Sequence, residues 1–302
     1  MTQFNPKGGT QMAKEKIYNT FDLPSYDIAQ RLKECDVIMI PMGSTEKHGP
    51  HIPTGVDTNT TWGITTRAAK KADVLHTQII PVGYSPHHMG MVGQGSGSLT
   101  FDGPTYRGII YSLGRCMIYH GFNKIVFVSI HGSNTQVMEE VLRRLRYETG
   151  AFIAWYKPAC ERVVGPIAHI VEGALEETPG WHSGEEETSH ALAFNEEHCH
   201  MERAKKDTAH APRWLGDAFS KLDGSRTVEF QGLDNIWIPM DHHEYCDTAT
   251  IGNPLRASKE KGLKLYEYQS DHLAAFLKEV KKLKIVVPED KRDYPGRASG
   301  VW

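Results

Sequence analysis

The chain has 302 residues, 39% of them hydrophobic, and a formal net charge of −3, which suits one folded α/β domain with long loops rather than two small ones. That charge offers no polycationic surface for nucleic acid, no run is apolar enough to span a membrane, and the first residues lack the apolar stretch of a secretory signal. Five cysteines, odd in number and without Cys-x-x-Cys spacing, fit a reducing cytoplasm better than a disulfide framework.

In chain order, residues 1–20 read as a loosely ordered arm and 25–34 as a helix. The apolar run Val37-Ile38-Met39-Ile40-Pro41-Met42 reads as a buried parallel strand. Glycines and prolines then break regular structure through Gly43-Ser44-Thr45-Glu46-Lys47-His48-Gly49-Pro50-His51, and Asp57 follows shortly after. A carboxylate, an imidazole and a second carboxylate therefore stand at the carboxyl end of a strand, where open α/β sheets place their active sites. These residue types hold Zn²⁺, Mn²⁺ or Fe²⁺. A helix is predicted over 58–72. The strand Ile79-Ile80-Pro81-Val82 leads into a glycine-rich loop from Gly83 through His87 and His88 to Ser98 and Leu99. That loop is too irregular to cradle a phosphate and reads as substrate-facing.

After a helix over 104–121, the strand Lys124–Ile130 runs into His131-Gly132-Ser133-Asn134. Asn134 reads as the N-cap of a helix with the apolar face Val137, Val141, Leu142 and Leu145, stopped by Gly150. If the strands are parallel, His131 shares an edge of the sheet with Glu46 and His48. The run Trp181-His182-Ser183-Gly184-Glu185-Glu186-Glu187-Thr188-Ser189-His190 places three acids at a helix start, where the macrodipole favours negative charge. Residues 185 and 187 diverge around such an axis, so one of them is expected to face a metal. Residues 200–250 carry Trp214, Trp237 and Asp241-His242-His243-Glu244-Tyr245, which has the composition of a metal cluster. A final amphipathic helix is predicted over 258–283, and a basic, proline-containing tail over 284–302. No Ser-His-Asp or Cys-His arrangement competes with the acid and histidine motifs.

The ordered motifs Gly-Ser-Thr-Glu-x-His-Gly-Pro-His…Asp, Gly-Ser-x-Ser-Leu, strand-His-Gly-x-Asn and His-x-Gly-Glu-x-Glu-Thr-Ser resemble the creatininase (creatinine amidohydrolase) family. The resemblance is collinear from about residue 25 to 283 and includes Ile251-Gly252-Asn253-Pro254 before the last helix. It implies a layered α/β/α creatininase-like fold around a mostly parallel central sheet, with residues 21–283 as the metallohydrolase domain. It also implies two divalent metal ions, Zn²⁺ and/or Mn²⁺ or Fe²⁺. Glu46, Asp57 and His131 resemble the ligands of one metal, and His48 with the bridging Asp57 those of the other. Creatininase itself completes the second site with an acid where this chain has Ser133, and Glu185 matches an acid that replaces it in other branches. His182 resembles a proton shuttle and Glu187 a residue that orients groups beside it. Trp155 and Trp181 resemble substrate-gating tryptophans, and Ser98 and His88 fall in the substrate-facing loop. Asp241-His242-His243-Glu244 lies outside the family's ligand positions and is read as a substrate-loop element.

The activity so implied is a metal-dependent hydrolase that opens a small cyclic amide at its C–N bond. The alternatives are C–C hydrolysis of a cyclic polyol ketone such as a dehydro-inosose, and a non-catalytic metal-binding protein. The expected partner is a small cyclic substrate, with no nucleic acid and no membrane. The expected assembly is a homo-oligomer, a hexamer by family, with the tail in a subunit contact.

Overall fold

The computed structural model describes residues 15–160, 164–171 and 181–294. Four parallel strands form its centre: β1 (Val37–Pro41), β2 (Leu75–His76), β3 (Lys124–Val128) and β4 (Phe152–Tyr156), in the order β2-β1-β3-β4. Val37 pairs with Lys124 and Lys124 with Phe152. The chain therefore leaves β1 and β3 on the same edge, carrying Glu46, His48 and His131 with it.

The strands are mostly apolar, apart from Lys124 and His76, because both faces are covered. Ile38 and Ile40 of β1, with Ile125 and Phe127 of β3, pack on one side against Tyr106, Ile110, Val141 and Leu145. These belong to α3 (Gly103–Tyr119) and α4 (Glu139–Thr149), beside which runs α1 (Ser25–Glu34). The alternate residues Val37, Met39, Val126 and Val128 pack on the other side against Ile64, Ala68, Leu273 and Leu277. The period-two side-chain alternation of a strand thus feeds two helical layers. The second layer holds α2 (Val56–Ala72), a short α5 (Val164–Ile167), α6 (Glu185–Asn195) and, after the four-residue α7 (His242–Tyr245), the long α8 (Lys259–Lys282). α8 lies so close to α6 that a β-carbon at Gly262 would run into the carbonyl of Ser189. A separate antiparallel sheet, β5 (Phe219–Ser220), β6 (Thr227–Phe230) and β7 (Leu233–Trp237), comes from the stretch that the sequence left unassigned.

The expected α/β architecture holds, and Gly150 closes α4 with a φ of 74° as a left-handed C-cap. Three local expectations need correction. Ile79–Val82 makes one bridge, Ile80 to Met42, because Pro81 has no N–H for a ladder. Asn134 does not cap α4, which begins after a 3₁₀ turn over Ser133–Val137. Its side chain instead accepts from the Tyr84 N–H at 2.8 Å and donates to the Gly43 carbonyl at 3.0 Å, tying three strand-end loops together. The arm is not loose throughout: Tyr18 accepts a hydrogen bond from the His76 N–H, and Asn19 bridges to His76. Residues 1–14 lie outside the described residues. The tail over 284–294 docks on its own chain, with Val287 buried in the core and Arg292 donating to the Ile118 carbonyl and to Asn123. Residues 295–302, including Trp302, lie outside the described residues.

Candidate metal centre

Each polar side chain of the site is placed by a structural necessity nearby. Glu46 follows β1 in a loop pinned by its own N–H to the Thr54 carbonyl at 2.9 Å. Asp57 occupies the first turn of α2, where its charge meets the positive end of the helix dipole. His131 follows β3, and His182 and Glu187 flank the start of α6. All except Glu187 are at most 5% exposed.

Three histidines donate one ring N–H to a backbone carbonyl. The pairs are His48 Nδ1 with Glu46 O at 3.0 Å, His131 Nε2 with Tyr84 O at 3.1 Å, and His182 Nε2 with Lys47 O at 2.7 Å. A carbonyl only accepts, so the tautomers are fixed and His48 Nε2, His131 Nδ1 and His182 Nδ1 face the site. This is the outer bonding that metal-ligating imidazoles carry. His131 Nδ1 lies 3.2 Å from both Glu46 Oε2 and Asp57 Oδ2. His48 Nε2 lies 3.4 Å from Glu187 Oε2 and 3.8 Å from Asp57 Oδ2. His48 Nε2 and Asp57 Oδ2 are buried without a hydrogen-bond partner. A nitrogen lone pair facing carboxylate oxygens at these distances is repulsive unless a metal cation or a proton stands between them. Two triads meet the requirement, Glu46–Asp57–His131 and His48–Asp57–Glu187, each with its ligand atoms within 4.8 Å of one another. Their N and O donors suit Zn²⁺, Mn²⁺ or Fe²⁺.

The electrostatics show how strongly the site demands positive charge. Burial would lower the pKa of His48, yet Asp57 and Glu187 outweigh it and push it up to about 10. His131 is also raised against burial, by Glu46 and Asp57. Burial lifts Glu46 to about 7. Asp57 and Glu187 stay below the usual carboxylate range despite burial, held there mainly by His131 for the first and His48 for the second. Without metal, protons on the imidazoles supply the missing charge. Metal must displace them, so its affinity rises with pH. His182 differs: burial, then the charge on His48, lowers it to about 4, and it is neutral at pH 7.

Five expected residues are thereby brought together: Glu46, His48, Asp57 and His131, with His182 beside them. The acid of the His-x-Gly-Glu-x-Glu-Thr-Ser motif that joins them is Glu187. Glu185 turns the other way and pairs with Lys261 Nζ at 2.7 Å, because the close packing of α8 on α6 brings Lys261 to it. Trp155 is also elsewhere, stacked on Phe127 against the hydrophobic core. Ser98 is a loop tie, donating to the His88 carbonyl at 2.7 Å and accepting from the Lys47 N–H at 3.0 Å. Trp181 and His88 do line the cavity above the carboxylates, which has a volume of about 600 Å³. Its far wall comes from the small antiparallel sheet and α7, including Arg226, Trp237 and His242. His242 was visible as part of a His- and acid-rich run, but no spacing rule joined that run to the strand-end loops.

The profile of the creatininase family, described as creatinine amidohydrolase, matches residues 22–277. A 3-dehydro-scyllo-inosose hydrolase from Thermotoga maritima is 32% identical over 59% of this chain and 56% of its own. A mycofactocin precursor peptide peptidase from Mycobacterium ulcerans is 29% identical over 37% of this chain and 46% of its own. The chain thus spans about half the length of these curated relatives. A solved structure titled "Creatininase Mn" superposes with a TM-score of 0.69 at 24% identity, covering 89% of this chain and 100% of that one, and this likeness shows the fold.

Proposed function

This chain belongs to the creatininase family, and from that premise we propose that it is a metal-dependent hydrolase of a small cyclic carbonyl compound. The observation that carries the reading is the convergence of two buried ligand triads on Asp57, with each imidazole fixed by a backbone carbonyl. Glu46, Asp57 and His131 would hold one divalent cation, and His48, Asp57 and Glu187 the other. When bound, two such cations supply an acidified water and a Lewis acid for a carbonyl oxygen. The protein's own share is positioning and proton transfer. His182 is neutral, and its Nδ1 lies 3.7 Å from Glu46 Oε1 and 3.8 Å from Glu187 Oε2. It can therefore take a proton at Nδ1 and return it to the departing atom. Glu187 also accepts the Ser183 N–H at 2.6 Å, which fixes the carboxylate beside His182.

Of the two bonds, the cavity wall favours C–C hydrolysis of a hydroxylated cyclic ketone. Neutral His88 and His242, Ser133 and Gln136 line it, and they suit several hydroxyl groups. The inosose hydrolase relative supports the same choice. Opening of a cyclic amide at its C–N bond is the second reading, supported by the flat apolar face of Trp181 on the wall. A panel of inososes and lactams, followed by mass spectrometry for gain of one water, tests both. Turnover of lactams alone overturns the first choice, and turnover of neither by metal-loaded protein overturns the reading. The same family reading carries a homo-oligomer, hexameric, in a reducing cytoplasm. Light scattering checks the assembly, and a monomeric mass refutes it.

A further inference from the structure

We propose that His88, His182 and His242 form a third metal site, adjoining Glu46 of the first triad, which takes one nitrogen-preferring divalent transition metal such as Zn²⁺ or Co²⁺ and blocks proton transfer when filled. The three residues come from three separate parts of the chain. His88 ends the 3₁₀ turn Pro86–His88, His182 precedes α6, and His242 opens α7. They are 6%, 5% and 4% exposed, and a ring nitrogen of each lies within 4.8 Å of the others.

Their hydrogen bonding is what calls for an occupant. Neither ring nitrogen of His242 makes a hydrogen bond among the described residues, and its ring meets only the rings of His88, His182 and Tyr245. His88 Nδ1 is also buried without a partner. His182 spends Nε2 on the Lys47 carbonyl, which leaves Nδ1 open. Native interiors rarely leave such groups unmatched, and the carboxylate beside two of the three rings is Glu46, whose Oε1 lies 3.4 Å from His88 Nε2 and 3.7 Å from His182 Nδ1.

The spacing fits a metal. The ring centres of His88 and His182 are 4.5 Å apart, those of His88 and His242 4.4 Å, and those of His182 and His242 4.9 Å. With metal–nitrogen bonds of about 2.0–2.1 Å, each ring centre stands about 3.2 Å from the metal, giving separations of about 4.5 Å at right angles and about 5.2 Å in a tetrahedron. Two of the observed values are close to the right-angle spacing of a facial octahedral set, and the third lies between it and the tetrahedral one. Three imidazoles with a neighbouring carboxylate favour Zn²⁺, Co²⁺ or Ni²⁺ over Mg²⁺ or Ca²⁺. Helix α7 is braced in place, since Glu244 accepts the Asp241 N–H at 2.6 Å in a capping box and the Trp214 indole N–H at 2.8 Å. A metal here would use His182 Nδ1, the only nitrogen through which that residue can carry a proton, so occupancy and turnover exclude each other.

The test is metal counting on the full-length protein, stripped and then dialysed against Co²⁺ in excess, with wild type, His242→Phe and Asp57→Asn side by side. The expected counts are three for wild type, two for His242→Phe and one for Asp57→Asn. Excess Co²⁺ should also inhibit wild type but not His242→Phe. A wild type that saturates at two equivalents, both lost in Asp57→Asn, overturns this site and leaves the two-metal reading standing. A count that His242→Phe lowers by one but Asp57→Asn leaves unchanged does the reverse. Should His242→Phe not fold, anomalous diffraction from wild-type crystals soaked in Co²⁺ decides. A peak among the three imidazoles supports the site, and its absence there overturns it.

Discussion

The two walls of the cavity are built by different physics. The lower wall, from β1, β3, α2 and α6, is buried, and its histidines are locked by backbone carbonyls. The upper wall mixes exposed groups beside the antiparallel sheet, Trp237 at 64% exposure and Arg226, which carries no ion pair among the described residues, with the buried His242 and Tyr245 of α7. A site that must hold cations needs carboxylates that cannot swing away or reach water. A wall that selects a substrate needs groups still free to meet it. Chemistry is therefore assigned to the parallel sheet's edge, and choice of substrate to the added antiparallel sheet.

The sharpest break of this division is Asp57→Ala. It removes the group shared by both triads, so both metals should be lost and turnover should fall by at least roughly 10³-fold, since residues that act as a unit fail together. Elemental analysis beside kinetics checks it, and full metal retention refutes the sharing of Asp57. Next comes the pair of acids on α6. Glu187→Gln should cost more than about 100-fold in turnover, beyond the usual effect of a supporting residue. Glu185→Gln should leave metal content intact and instead destabilise the fold by about 1–3 kcal/mol, because it removes the charged partner of the half-buried Lys261, which keeps its bond to the Arg256 carbonyl. Denaturant melts and metal counts separate the two variants, and interchange of their effects would restore Glu185 as a ligand.

A smaller effect should appear in acid. Burial lowers His51 and His190 to about 4, so each is neutral in the folded protein. The unfolded chain takes up their protons first, near pH 6.5. Stability from this source is complete above about pH 6.5 and is lost as pH falls toward about 4. The melting temperature should decline over that window, and His190→Asn should flatten the decline. A profile identical to wild type counts against a neutral His190. The smallest expected effect is on the upper wall. Arg226→Gln should raise KM by less than about tenfold and leave kcat unchanged, the mark of binding felt equally in ground and transition states. A fall in kcat would move the boundary between chemistry and selection into the antiparallel sheet.

Much of the fold was legible in the sequence. Strands with both faces covered must be mostly apolar, so β1 and β3 announce themselves. Helix α1 is found at its predicted limits, and α2, α3 and α8 lie within two residues of theirs. The motifs at strand ends are local, so Glu46, His48, Asp57 and His131 could be read directly. What stayed hidden depends on how one element turns against another. Glu185 and Glu187 are chemically alike, and the choice between them is a rotation of α6 set by the contact of Gly262 with Ser189 and by Lys261. Asn134 looks like a cap because caps are local, yet it bonds across three loops. Trp155 sits on a strand whose faces both resemble a pocket in sequence, and only the layer of α3 and α4 shows which is core. His242 joins His88 and His182 through a fold-back that no periodicity records. Sequence alone determined β1, β3, the helices α1, α2, α3 and α8 and the candidate ligands at the strand ends, because a residue's neighbours in the chain decide those. Tertiary structure alone decided the facing of α6 and the upper wall, because distant packing sets them.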